Sequence, residues 1–224
     1  MSEEQQGKSG CTGLQVIVAF GLLALLISGA MPVHHPVGDR ALQLATAGNC
    51  RQIAVALMLY ADDHGGAFPD SGLEAKTSND AFRVLIREGV LEDERVFGAK
   101  VSKYTPDSNI GGAPDFAEAL EAGENHWAMT KGVTIKSNPK TPLVFENPVM
   151  ASWPPKWNCD AAGKREKGRA WRGGKIIVGF KDGTAEIIRL ESAKGSSVLP
   201  ARAADGKDIF TRAAHHMELL DIVE

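Results

Sequence analysis

Residues 11–32, CTGLQVIVAFGLLALLISGAMP, constrain this chain most, because a water-soluble domain has no natural place for them. Val16 to Met31 carries no charged residue, and between Gly13 and Val33 only Gln15 and Ser28 are polar. About 20 apolar residues at about 1.5 Å each span the roughly 30 Å hydrocarbon core of a bilayer. Lipid offers the backbone no hydrogen-bond partner, so the stretch is expected to be helical. Residues 1–10 precede it and 34–224 follow, which is the layout of a signal anchor with one soluble domain beyond a single span. A cleaved secretory signal is the competing reading, with Ser28-Gly29-Ala30 as its small-residue cleavage site. The leader sets Glu3 and Glu4 against Lys8, so flanking charge gives no orientation.

Pro32 and Pro36 cannot sit inside a helix without loss of a hydrogen bond, which predicts a kink or break over 31–38. Asp39 then caps a long helix to about Asp62, with Leu42, Ala45, Ile53, Ala56, Leu57 and Tyr60 as its apolar face and His64-Gly65-Gly66 as its stop. His34 and His35 are read as solvated. Asp62, Asp63 and His64 are read as loop-bonding groups, with metal ligation as the alternative.

A globular head follows over 67–224. Ser78-Asn79-Asp80 caps a short helix bearing Phe82, Leu85 and Ile86 and ending at Gly89. Residues 98–125 are rich in Gly, Pro, Asp and Ser and read as surface loop, with a helical turn at 115–120. Strands are expected at His126–Met129, Val133–Ile135 and Pro142–Glu146. The clearest element is the hairpin 175–190, turned at Asp182-Gly183, for which a type I′ turn is predicted. Residues 205–224 form an amphipathic helix candidate with Ile209, Phe210, Ala213, Met217 and Leu220 on one side.

The chain is 43% hydrophobic and 24% charged with net charge −3, an ordinary globular mixture that argues against a nucleic-acid partner. One loop departs from it: Lys156, Lys164, Arg165, Lys167, Arg169, Arg172 and Lys175 are opposed there only by Asp160 and Glu166. Trp153, Trp157 and Trp171 fall in the same loop. Two readings stay open. Trp153, Trp157, Arg169, Trp171 and Arg172 form a ligand or partner loop for anionic lipid, polysaccharide or an acidic subunit; or the cations are solvated and the tryptophans are core. No zinc spacing, GxSxG, P-loop, GxGxxG or EF-hand pattern is present, so the chain is read as a non-enzyme with no metal and no cofactor.

Gly10 followed by Cys11-Thr12-Gly13-Leu14-Gln15, an apolar run, and Pro32 at the twenty-second position from Cys11 resembles the N-terminus of type IV prepilins and type II secretion pseudopilins. Asn49–Gly66, with Tyr60-Ala61-Asp62-Asp63, the segment Phe82–Phe97, and Phe180-Lys181-Asp182-Gly183 are similar to a pilin-like subfamily. The resemblance implies an α+β, pilin-like fold: a long N-terminal transmembrane helix, kinked near Pro32 and Pro36 and continuing over 34–66, packed on a small antiparallel β-sheet head. It implies cleavage after Gly10 by prepilin peptidase, a new N-terminus at Cys11, and assembly with other pilin-like subunits through Thr12, Gln15 and Pro32. It also implies an inner-membrane protein with a periplasmic head.

The departures are informative. Cys11 replaces the usual phenylalanine, and Ser9-Gly10-Cys11 superficially resembles a lipobox, although its apolar region follows the cysteine. Gln15 stands where the family has a glutamate that neutralises a neighbouring subunit's N-terminal ammonium. A glutamine supplies no charge, which favours a minor or tip-like subunit over a major one. Small residues Gly13, Gly21, Ala24, Ser28 and Gly29 would permit close helix packing. An oxidising periplasm would permit a Cys50–Cys159 disulfide. The alternative function is a membrane-anchored periplasmic binding module that no longer assembles.

Overall fold

The computed structural model describes residues 36–71, 75–213 and 217–224. The chain divides into Met1–Asp39 and Arg40–Glu224, and the fold below is that of the second unit. Helix α1 runs from Pro36 to Asp63. Pro36 is its first described residue, and most of the kink expected over 31–38 lies outside the described residues. Asp39 lies in the first turn, favourably placed against the helix dipole, and is not the cap.

The expectation of a long transmembrane helix packed on the head is corrected here. Among the described residues no helix is long and apolar enough to cross a membrane. The described part of the chain is α+β, and α1 is a helix of mixed polarity. The span expected at 11–33, with Gly10, Cys11, Thr12, Gln15 and Pro32, lies outside the described residues, as do His34 and His35.

The buried line of α1 runs Gln43, Thr46, Cys50, Ile53, Ala54, Leu57, Ala61, so Ile53 and Leu57 face inward as the pattern predicts while Ala45 is exposed. Thr46 is tolerated inside because its hydroxyl donates to Leu42 O at 2.8 Å. The helix stops where Gly65 and Gly66 take positive φ and the Gly66 N–H returns to Ala61 O at 2.7 Å. Helix α2 (Ser78–Arg87) is capped one residue earlier than predicted: Thr77 Oγ1 accepts from Asp80 N–H, and Asp80 Oδ2 accepts from Thr77 N–H.

Strands β1 (Trp127–Lys131), β2 (Pro142–Glu146), β3 (Lys175–Phe180), β4 (Ala185–Arg189) and β5 (Glu218–Leu220) form one antiparallel sheet in the order β4-β3-β2-β1-β5. Residues 133–135 are not a strand; Thr134 makes an isolated bridge to Ala67. The β3–β4 hairpin is also not a type I′ turn. Only Gly183 of its loop has positive φ, with Gly183 N–H on Phe180 O and Phe180 N–H on Thr184 O, the geometry of a three-residue loop with a glycine bulge. The tail is not one helix: α3 (Ile209–Ala213) covers one sheet face, and β5 then adds an edge strand.

Strands β1, β2 and β3 are buried on both faces because their residues alternate between two cores. Trp127, Met129, Val144 and Ile177 meet α1 and α2 through Ile53, Leu57, Phe82 and Leu85. Ala128, Phe145, Ile176 and Val178 meet Trp157, Cys159 and Phe210 from the loop and tail. Gly179 sets how closely α1 approaches β3. A Cβ there would stand 2.7 Å from Val144 Cγ1, 3.0 Å from Cys50 Sγ and 3.3 Å from Ala54 Cβ. Gly179→Ala is expected to lose about 1–3 kcal/mol by overpacking, seen as an earlier denaturant midpoint. A neutral result would mean that α1 is not seated on this strand.

Candidate functional site

Strand β2 closes on Glu146, a fully buried carboxyl group at the end of an apolar run. Trp171 Nε1–H donates to its two oxygens at 2.9 and 3.0 Å, and Ile177 N–H donates to Oε2 at 2.9 Å. His126, just before β1, places Nε2 3.2 Å from Oε1. The imidazole tautomer follows from its neighbours. Gly168 N–H donates to Asn147 Oδ1 at 2.8 Å, which turns Asn147 Nδ2 toward His126, 2.7 Å from its carbonyl and 3.0 Å from Nδ1. An amide nitrogen can only donate, so Nδ1 accepts and Nε2–H donates to Glu146.

Ser102 Oγ also lies 3.0 Å from Nδ1, so Ser102, His126 and Glu146 stand in the series of a serine nucleophile, a base and an acid. A substrate has no way to them: they are 3%, 1% and 0% exposed. Ser102 Oγ already accepts from Tyr104 N–H at 3.1 Å. The group acts as a polar hub that ties β1, β2, β3 and the 147–171 loop together. Sequence reasoning did not find it, and the one signal was a charged residue closing Pro142-Leu143-Val144-Phe145.

The hub explains where the proposed ligand loop went. Trp157 is fully buried, its Nε1–H on Glu146 O at 3.1 Å and its ring among Phe145 and Phe210. Trp171 and Arg169 are both 4% exposed, with the guanidinium 4.4 Å above the indole ring. Trp153 is half-buried, edge-on to Phe210, and only Arg172 is exposed. Of the two readings, core packing holds for Trp157 and Trp171, whose indole N–H groups find their acceptors at Glu146, and Arg169 is buried with them, so these three form no exposed platform. Lys167 is used as well, pairing with Asp221 at 2.9 Å and Glu224 at 3.6 Å. Tyr104 donates to the same Glu224 at 2.6 Å, and these bonds pull the Glu224 carboxyl below its ordinary value.

The expected Cys50–Cys159 disulfide is absent. Both thiols are free and buried, Cys50 on the inner face of α1 and Cys159 in the opposite core, where it donates to Ser192 O at 3.2 Å. The sheet stands between the two clusters, and burial pushes both thiols up. Asp62, Asp63 and His64 are exposed and do not converge; His64 Nδ1 bonds Tyr60 O at 2.7 Å and its ring stacks on Tyr60.

Among the described residues, Glu94, Asp107 and Glu124 are the one group of acids close enough to hold a metal, with oxygens within 4.8 Å of one another. Their donors would suit a hard cation. The buried pair, however, is occupied by the chain. Glu94 accepts from the Ser108 and Leu120 amides at 2.7 and 3.1 Å, and Glu124 from the Asp107 and Glu121 amides at 3.3 and 2.7 Å. These four bonds staple the 98–125 loop and hold Ser108 and Leu120 at positive φ.

Burial, with the Glu94 and Asp107 charges added, raises the Glu124 carboxyl above its ordinary value. A raised folded value means that the charged form is disfavoured in the folded state. Stability therefore falls as pH rises through that value and recovers below it. Asp107→Asn keeps the oxygen that accepts from Asn109 N–H and removes one exposed like charge. It is expected to raise neutral-pH stability by less than about 1 kcal/mol and to flatten this pH dependence in thermal melts. An unchanged slope would mean the repulsion is not felt.

The outer face of α1 remains uncovered. Leu44, Val55 and Leu59 are 57%, 39% and 53% exposed, and Val55 and Leu59 line a shallow groove with Gly48, Val90 and Leu91. No protein-family model, curated protein or solved structure matches the chain.

Proposed function

We propose that the protein is a non-enzymatic, pilin-like subunit, a minor or tip-like member of a type II secretion or type IV pilus-like assembly. Its partners in this reading are other pilin-like subunits, prepilin peptidase and the inner-membrane bilayer, all engaged by the N-terminal segment, with the head in the periplasm. The observation that carries it is the pairing of that N-terminal sequence with a helix that keeps large aliphatic side chains on its outer face while its inner face seats a β-sheet. Support also comes from the Phe180–Gly183 hairpin, whose tip rests against Val55 and Met58 of α1. Gln15 favours a subunit with no neighbour to neutralise. The binding-module alternative loses its main support, since the rings that would grip a ligand are in the core.

The test is the N-terminus and intact mass of the protein from native membranes. A chain starting at Cys11 supports the assembly reading. A chain starting at Met1 or Ser2 overturns it in favour of a simple anchored domain, and a start near Met31 means a secreted protein.

A further inference from the structure

The exposed ridge of α1 is arranged about its own centre. Around a centre between Arg51 and Gln52, Leu44 lies seven residues before and Leu59 seven after. Gly48 lies three before and Val55 three after, while Arg40 and Asp62, eleven before and ten after, stand near the two ends. At 100° per residue Leu44, Gly48, Val55, Leu59 and Asp62 share the side away from the buried line, Arg40 stands at its flank, and all six are exposed. A Cβ at Gly48 would meet nothing within 4 Å, so the ridge has a notch there.

We propose that this ridge is a self-complementary surface that binds a second copy of the same chain, with the two α1 helices antiparallel. In that arrangement Leu44 packs on Leu59 of the second copy, and Val55 fills the notch over its Gly48. Arg51 reaches its Gln52, and every contact occurs twice, as an isologous interface requires. Charge selects the direction. Antiparallel pairing brings Arg40 beside Asp62 of the second copy at both ends. In-register parallel pairing would set Arg40 against Arg40 and Asp62 against Asp62. Val90 and Leu91 flank the ridge and extend the apolar contact beyond the helix. A line of large exposed aliphatics with charges at its ends is the surface pattern of a protein contact, and in the pair no ridge is left for a further subunit.

The pairing does not rest on the pilin-like reading. A chain starting at Met1 would remove that reading and leave the dimer, whereas a monomer processed at Cys11 would do the reverse. The test uses the full chain in mild detergent, in a Cys11→Ser background, under oxidising conditions. Leu44→Cys with Leu59→Cys is expected to give a covalent dimer, while Leu44→Cys alone gives none. Two copies of residue 44 would lie about 22 Å apart along the pair, far outside disulfide reach. A dimer from Leu44→Cys alone would mean parallel helices and overturn the proposal. So would a monomeric mass for the unmodified chain by light scattering with no double-cysteine product. Arg40→Asp is expected to weaken the dimer at least several-fold, and Arg40→Asp with Asp62→Arg to restore it. Loss without restoration would remove the charge pairing.

Discussion

Glu146→Ala is expected to cost about 3–5 kcal/mol, which is enough to bring a domain of this size close to unfolding. The fully buried carboxyl group takes the Trp171 indole N–H, the Ile177 amide and His126 Nε2–H. Truncation orphans all three at once, and an unpaired buried donor bears its full desolvation penalty. Glu146→Gln should recover only part, because one of its two groups becomes a donor facing donors. Denaturant unfolding followed by tryptophan fluorescence reads the difference. A cost for the alanine variant near that of an ordinary surface substitution would sink the hub.

Trp157→Ala is the other large effect, at about 3–5 kcal/mol for a buried aromatic with no space to collapse. Its ring fills the core between Phe145 and Phe210, and its N–H is bound to Glu146 O. Trp157→Phe should cost much less, losing the hydrogen bond and some volume. The result also separates the two readings of the tryptophan loop. An exposed ligand platform would tolerate the alanine within about 0.5 kcal/mol, and that outcome would put Trp157 back on the surface.

Local rules made much of the head legible. The stop of α1 was readable from His64-Gly65-Gly66, because positive φ without strain is a property of glycine itself. The β3–β4 hairpin was readable from two apolar runs around Asp182-Gly183. The errors share a cause. The I′ turn, the Ser78 cap and the strand at 133–135 each rested on choices among local conformations of similar energy, and tertiary contacts made the choice. Residues 205–224 had the spacing of a helix, yet among the described residues there only 209–213 are helical; the edge of β1 offered Glu218–Leu220 a ladder, which the helical pattern could not foresee.

The site was illegible for a different reason. Ser102, His126, the Glu146-Asn147 pair and the Gly168–Trp171 loop come from separate segments, and none carries a spacing signal toward the others. The basic, tryptophan-rich loop looked like surface because charge and aromatic content do not reveal which way a side chain turns. By itself the sequence determined the position of the apolar N-terminal segment, the long helix and the hairpin, since each follows from hydrophobic periodicity or from the backbone freedom of a single residue. Only the tertiary structure decided that the cysteines stand on opposite sides of the sheet, that the loop tryptophans are core, and that a carboxyl group lies among them. Those outcomes depend on which distant donors reach a buried acceptor once the strands have paired.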